Sequence, residues 1–257
     1  MDLDLGHKRF LVTGASRGIG RAIAMGLLKE GAKVAIIARQ EHGVKLTVSQ
    51  FAQEFDSRQI LGLVGDCTDS TILSNRIIEL EQTWGGLDGV VANVGDGRSV
   101  PDPVPGEKQW SQVWQTNFET ALTTTRICLP ILQTSQGSLL FISSITGLSA
   151  LGAPVDYSVA KTAVIALAQN LARKVAPDVR VNVIAPGNVS FPGGNWEEKI
   201  KAQPEAVESM LLSQVPLQRF GTPEEIADAA VFLCSPRASF ITGTVLRVDG
   251  GQLNSLM

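Results

Sequence analysis

Short apolar runs alternate along this chain with longer stretches of helical periodicity, and that alternation leaves few architectures open. The runs fall at Arg9–Thr13 (RFLVT), Lys33–Ala38 (KVAIIA), Ile60–Val64, 87–93, 138–143 (SLLFIS), 179–184 (VRVNVI) and 244–248 (TVLRV). Helical patterns occupy 19–30, 46–55, Ser70–Trp84, 108–134, 154–175, 197–213 and Pro223–Cys234, and Gly31 caps the first. Strands joined by helical crossovers run parallel, and right-handed crossovers place helices on both faces of the sheet. The expectation is an α/β fold: a doubly wound parallel sheet of about seven strands, in one domain over residues 1–257.

Composition agrees with a sheet buried on both faces. Hydrophobic residues are 44% of the chain but aromatics only 5%, so Ala, Val, Ile and Leu build the core. The net charge is -3 with no basic run, which argues against a nucleic-acid or membrane-surface partner. No apolar stretch reaches the roughly 18 residues of a membrane helix. Asp2 and Asp4 open the chain without an apolar signal core, which predicts a cytoplasmic protein. Cys67, Cys128 and Cys234 are odd in number and widely spaced, and read as buried thiols. His7 and His42 lack ligand spacing, so no metal site is expected.

Immediately after the first strand comes Thr13-Gly14-Ala15-Ser16-Arg17-Gly18-Ile19-Gly20. Glycine there lets the backbone turn tightly and approach a ligand, and the following helix aims free N–H groups at the same place. Either a pyrophosphate sits there, or the turn needs glycine for packing alone. Between a strand and a helix, the pattern favours the nucleotide of a Rossmann fold. An acidic residue at the end of strand two holds the ribose 2′-hydroxyl of NAD. This chain has Ala38 followed by Arg39, with Arg17 in the glycine loop. Two guanidinium groups favour a 2′-phosphate, hence NADP(H) over NAD(H), unless Arg39 is a solvated loop residue.

Tyr157 is the only tyrosine, and Lys161 follows it by one helical turn. The pairing predicts an ammonium that lowers the phenol pKa and makes it a general acid and base near neutral pH. Ser143 and Ser144 leave strand five, and spacing to Tyr157 favours Ser144 as a hydrogen-bond partner for a substrate oxygen.

Thr13–Gly20, the turn Ala92-Asn93-Val94-Gly95, Asn117, Ser144, Tyr157 with Lys161, Pro186-Gly187 and Val248-Asp249-Gly250-Gly251 together resemble the short-chain dehydrogenase/reductase family over nearly the whole chain. The nearest likeness is to 3-oxoacyl-(acyl-carrier-protein) reductases. The resemblance implies an enzyme acting on CH–OH groups with a nicotinamide cofactor. It implies that Tyr157 is the acid and base, that Ser144 orients the substrate oxygen, and that Lys161 holds the nicotinamide ribose. Asn117 bends its helix and holds a water relaying protons to Lys161. Asp66 and the Cys67 backbone meet the adenine, Asn93 and Gly95 line the ribose side, and Val189 after Pro186-Gly187 meets the carboxamide. It also implies a homotetramer, or a homodimer, through the long helices around Asn117 and Tyr157.

The chain departs from the family at several points. Val94 replaces a small alanine. Arg98 lies in the long loop 96–107, where it meets a polar or anionic substrate or is simply solvated. Positions at which carrier-protein reductases resemble one another in basic docking residues carry Ser135 and Asp178, which favours a free, polar or sugar-like small molecule. Residues 190–215 read as a substrate lid in which Trp196 covers the ligand or packs its helix. Trp110 and Trp114 read as core or subunit interface. The alternatives are a carrier-protein reductase and a dinucleotide-binding protein without turnover, which has no need of Tyr157, Lys161, Ser144 and Asn117 together.

Overall fold

In the computed structural model, which describes residues 2–254, the apolar runs become seven parallel strands in the order β3-β2-β1-β4-β5-β6-β7. These are β1 (Arg9–Thr13), β2 (Lys33–Ala38), β3 (Ile60–Val64), β4 (Gly89–Ala92), β5 (Ser138–Ile142), β6 (Arg180–Pro186) and β7 (Val245–Val248). The chain steps outward from β1 to β3, then returns to place β4 on the other side of β1. At that reversal the crossovers diverge, and a crevice opens beyond the carboxyl ends of β1 and β4.

Successive side chains of a strand point to opposite faces, so each strand feeds two cores. Phe10, Val12, Val34 and Ile36 pack with α1 (Gly18–Lys29), α2 (Glu41–Phe51) and α9 (Pro223–Cys234). Leu11, Ala35 and Ile37 face the opposite way, with α3 (Ser70–Trp84), α5 (Thr120–Ser135) and α6 (Val155–Val175). Helix starts are fixed locally. The Asp69 side chain accepts the N–H groups of Thr71 and Ile72 at α3, and Thr222 with Glu225 forms a reciprocal capping box at α9.

Several boundaries differ from the sequence expectation: α2 covers Glu41–Phe51 rather than 46–55, β6 runs on to Pro186, and three further differences have a visible cause. β4 stops at Ala92, because Asn93 turns its N–H to Thr13 Oγ1 at 2.9 Å and leaves the ladder. The helix expected over 108–134 is α4 (Glu107–Trp114), one π turn (Gln115–Glu119) and then α5. Residues 195–214 form α7 (Asn195–Ala202) and α8 (Pro204–Gln214). The break falls at Gln203, whose extended φ of -146° suits the residue before a proline.

Candidate active site

The carboxyl ends of the strands open into a cleft of about 880 Å³. Its floor is stitched by hydrogen bonds between the β1 and β4 turns. Asn93 Nδ2 donates to Thr13 O at 2.9 Å and Gly14 O at 3.3 Å, and Gly14 N donates to Ile37 O at 2.8 Å. Gly14, Ser16, Arg17, Ile19, Arg39, Asp66, Cys67, Asn93, Gly95, Pro186, Gly187 and Val189 all line the cleft. Gly18 and Gly20 do not; they act by close packing. Gly18 has φ of +55°, and a Cβ there would lie 2.6 Å from the Phe191 ring. Arg17 is the N-cap of α1, and no side chain caps that end, so its first N–H groups remain donors for an anionic ligand.

Arg39 is exposed at the end of β2, and its charge reaches the Cys67 thiol, which burial and then Asp66 push up to about 12. The Asp66 carboxylate accepts from Thr68 N at 2.9 Å and Thr68 Oγ1 at 2.8 Å. Arg17 Nη1 donates to Gly193 O at 2.7 Å and so ties the glycine loop to the segment before α7.

The other end of the cleft gathers Ser144, Tyr157 and Lys161. Lys161 is 3% exposed; its Nζ donates to Ile142 O at 3.1 Å and stands 5.8 Å from the Tyr157 ring centroid. Ser143 Oγ donates to Lys161 O at 2.8 Å, which holds α6 against β5. Ser144 caps a 3-10 turn, its Oγ accepting from Thr146 N at 3.2 Å and from Thr146 Oγ1 at 3.0 Å. Asn117 is buried in the π turn and does not line the cleft. Its Oδ1 accepts from Asp96 N at 2.9 Å, and its Nδ2 donates to Asp96 O and Val113 O, each at 3.0 Å. A Cβ on Gly95 would lie 2.7 Å from Lys161 Nζ and 3.0 Å from Asn117 Oδ1, so the bare glycine is what lets the ammonium and the amide converge.

A strand–glycine loop–helix beside a buried lysine and a tyrosine one turn away places this cleft among nucleotide-dependent enzymes, and comparison with known proteins decides the family. The family model described as enoyl-(acyl-carrier-protein) reductase matches residues 14–252. The 3-oxoacyl-(acyl-carrier-protein) reductase of Chlamydia muridarum is 34% identical over 248 residues, covering 96% of this chain and 97% of that protein. This chain belongs to the short-chain dehydrogenase/reductase family. It is also 34% identical to a tropinone reductase homolog of Arabidopsis thaliana, over 96% of this chain and 92% of that one. The L-sorbose reductase of Gluconobacter frateurii, solved with NADPH and L-sorbose, superposes with a TM-score of 0.92 at 30% identity over the whole of both chains. As a member of the family, the protein is an oxidoreductase moving a hydride between a nicotinamide cofactor and a carbonyl or alcohol group.

The electrostatics of this dehydrogenase/reductase site correct one expectation. Burial raises the Tyr157 pKa above its ordinary value, a hydrogen bond with Ser144 opposes the rise, and the Asp96 charge adds to it. Lys161 is not among the groups that lower the phenol here; burial lowers the lysine itself to about 8, which leaves it mostly protonated at neutral pH. Arg98 is an exposed loop residue, with 51% of its side chain open to solvent, and it is paired with a carboxylate. Arg98 Nη2 meets Asp96 Oδ2 at 2.8 Å, and its Nε contacts both carboxylate oxygens at 3.1 Å. Burial alone would raise the Asp96 carboxyl; Arg98 more than offsets this and holds it below the usual range. Val94 lines the cleft, and its Cγ2 would lie 3.3 Å from a Cβ on Gly14. Trp196 does both things weighed for it: it lines the cleft and packs on Phe220 at 5.0 Å. Trp110 and Trp114 lie outside the cleft, in a shallow apolar groove with Val104 and Pro105.

Sequence reasoning did not find Asp96, which backs onto Asn117 and acts on Tyr157, nor Asp156, a carboxylate only 1% exposed at the residue before Tyr157. The position of Asp156 against Tyr157 was the available signal; its burial was not readable.

The lowered Lys161 pKa has a measurable sign. Between about 8 and the ordinary 10.5, the unfolded chain binds a proton on Lys161 that the folded chain has released. Stability contributed by this group therefore rises with pH across that window, by about 3 kcal/mol. At pH 7 the Lys161→Met chain is expected to unfold at higher denaturant than the parent, and the gap to narrow by pH 10. A gap independent of pH would contradict a buried, depressed lysine.

Proposed function

We propose that the protein is an NADP(H)-preferring carbonyl reductase or alcohol dehydrogenase of a small, free, polar molecule, with Tyr157 as proton donor and acceptor. One observation carries the reading: Tyr157, Ser144 and Lys161 face the same cleft as the uncapped N-terminus of α1 and its glycine loop. The residues present fit a dinucleotide. In this reading the α1 N-terminus with Gly14, Ser16, Arg17 and Ile19 holds the pyrophosphate, and Gly18 and Gly20 allow the loop its shape. Arg39 and Arg17 take the 2′-phosphate, Asp66 and the Cys67 backbone the adenine, and Asn93 and Gly95 the ribose side. Pro186, Gly187 and Val189 line the carboxamide end, and Lys161 holds the nicotinamide ribose hydroxyls. The likeness to the sorbose reductase solved with NADPH supports the choice of cofactor.

When bound, NADP(H) supplies the hydride and, once oxidised, a positive charge beside the phenol. Tyr157 donates its proton to the substrate oxygen in reduction and takes it back in oxidation, while Ser144 hydrogen-bonds the same oxygen. Asn117, locked to Asp96 and adjoining Lys161 across Gly95, shapes the path by which the proton is replaced. The raised phenol pKa keeps Tyr157 protonated at neutral pH, the state needed for carbonyl reduction. Residues 190–215 act as a lid on one domain spanning 1–257; Phe191 against Gly18 and Gly193 on Arg17 seat its start on the glycine loop.

A free substrate is favoured because Ser135 Oγ is spent on Leu87 O at 2.6 Å and Asp178 is exposed, so neither of these two positions offers a cation to an acidic carrier. A sugar-like ketone agrees with the sorbose reductase likeness. Exposed Val155 and Val159 on α6 support assembly into a homotetramer or homodimer, and three free buried thiols accord with the cytoplasm.

The test is oxidation of NADPH and NADH against small ketones, ketoses and an acetoacetyl-carrier protein. Reduction of a small ketone with NADPH is expected. Activity on the carrier far above that on small ketones would shift the reading to fatty-acid synthesis, and nucleotide binding without turnover would make the protein a binder. In the same assay Arg39→Asp removes a charge-assisted contact and is expected to lower kcat/KM for NADPH by about 10–100-fold while raising that for NADH. Equal efficiency with both cofactors in the parent would refute the preference.

A further inference from the structure

Asp156 is a carboxylate with almost no exposure, one residue before Tyr157, and no cation pairs with it in the structure described. Such a group is costly to bury unless hydrogen bonds and a favourable field support it. Both supports are present. Asp156 lies in the first turn of the 21-residue α6, where the helix dipole favours negative charge. Its Oδ1 accepts the Tyr157 N–H at 2.8 Å, and its Oδ2 accepts the Ser99 hydroxyl at 2.5 Å. Ser99 Oγ in turn accepts from Gln109 Nε2 of α4 at 3.2 Å.

Ser99 ends a four-residue segment whose start is also pinned. Asp96 is held through both its backbone N–H and its C=O by Asn117. Between the two anchors runs Gly97, which lines the cleft; a Cβ there would lie 3.6 Å from Tyr157 Cζ and 3.3 Å from Asn195 Nδ2. The segment 96–99 thus crosses the phenol as a strap, tied at one end to the π turn and at the other to the helix that carries the phenol.

We propose that Asp156 and Ser99 are positioning residues: their buried hydrogen bond fixes the 96–99 strap against the Tyr157 ring and so sets both the aim of the phenol and the wall the substrate meets. The inference rests on the proposed role of Tyr157, but its geometry does not, and one readout is independent of turnover. Tyr157 is the sole tyrosine, so the absorbance change of phenol ionisation near 295 nm reports this residue alone. Burial raises its pKa; a loosened strap admits water and lowers it toward the ordinary value of about 10.

Other charges face this phenol. Asp96 lies on the strap, paired with Arg98, and Lys161 on α6. A strap released at Ser99 carries Asp96 away from the phenol, which lowers the phenol pKa in the same direction as added water, and the Ser99 variants leave the Lys161 and Asp156 side chains in place. The experiment compares the parent with Ser99→Ala, Ser99→Thr and Asp156→Asn in the full chain. Ser99→Ala and Asp156→Asn are expected to lower the Tyr157 titration midpoint, whereas Ser99→Thr, which keeps the hydroxyl, restores it. With a ketone substrate, kcat for Ser99→Ala falls by about 10–100-fold, as a displaced reacting group costs, while NADPH affinity changes by no more than about twofold. An unchanged tyrosine midpoint in Ser99→Ala and Asp156→Asn overturns the strap, whatever the activity. A lowered midpoint in a chain without any ketone turnover upholds the strap and overturns the proposed function instead. If Asp156→Asn fails to fold, the Ser99 pair decides the matter alone.

Discussion

Tyr157→Phe is expected to abolish nearly all NADPH-dependent ketone reduction, lowering kcat by about 10²–10⁴-fold, the usual contribution of a positioned proton donor. The substitution removes one oxygen and little else. The ring keeps its place beside Lys161 Nζ, 5.8 Å from the centroid, and under Gly97. The glycine loop, Arg39 and Asp66 lie at the other end of the cleft, so NADPH affinity is expected to hold. Single-turnover kinetics and a nucleotide titration measure the two parts separately. A variant with parental kcat would remove Tyr157 from the chemistry; one that loses NADPH binding instead would show that the phenol supports the cofactor pocket rather than the proton transfer. The parental pH profile carries a matching sign. Because burial raises the phenol, reduction is expected to persist through neutral pH and to fall only on the alkaline side, as the acid form is lost.

Gly20→Ala is expected to cost both stability and cofactor. The added methyl would overlap Asn93 Nδ2 and lie 2.7 Å from Gly14 O. Neither neighbour yields freely: the Asn93 amide stitches the β1 and β4 turns through Thr13 O and Gly14 O, and Gly14 is itself anchored on Ile37 O. Overpacking at such a site costs about 1–3 kcal/mol. Any shift of the Gly14 backbone also moves the loop proposed to hold the pyrophosphate. At about 1.4 kcal/mol per tenfold, a loss of that size in the bound geometry weakens NADPH by about 5–140-fold. Thermal unfolding with and without NADPH separates the two effects. Gly106→Ala, where an added Cβ meets nothing within 4 Å, serves as the control and is expected to stay within about 0.5 kcal/mol of the parent. If both variants bind NADPH like the parent, the close contact beneath the loop is not what shapes it.

Much of this was legible because it is local. Strand and helix periods are set by neighbours a few residues apart, so alternation at Arg9–Thr13, Lys33–Ala38 and their successors was enough for a parallel doubly wound sheet. Tyr157 and Lys161 share a face of α6 because a helix repeats every 3.6 residues. The glycine loop reads as a nucleotide cradle because it falls between β1 and α1. Asn93 also declared itself, although its role as the stitch between two turns depends on Thr13, eighty residues away.

What spacing cannot carry is the surroundings of a charge. The amino-acid order put an ammonium beside a phenol and implied an acidic tyrosine; the folded chain buries the amine and half-buries the phenol, and the lost solvation raises the phenol and depresses the amine to about 8. It left Arg98 between a substrate contact and solvent, and the loop pairs it with Asp96 while half of its side chain stays exposed. It gave no sign that Ser99 reaches Asp156 across 57 positions. Sequence thus determined the fold, the family and the side chains available for hydride chemistry, since each follows from short-range pattern. Only the tertiary structure decided how those groups are charged and aimed, since solvation and contact are properties of which distant segments meet.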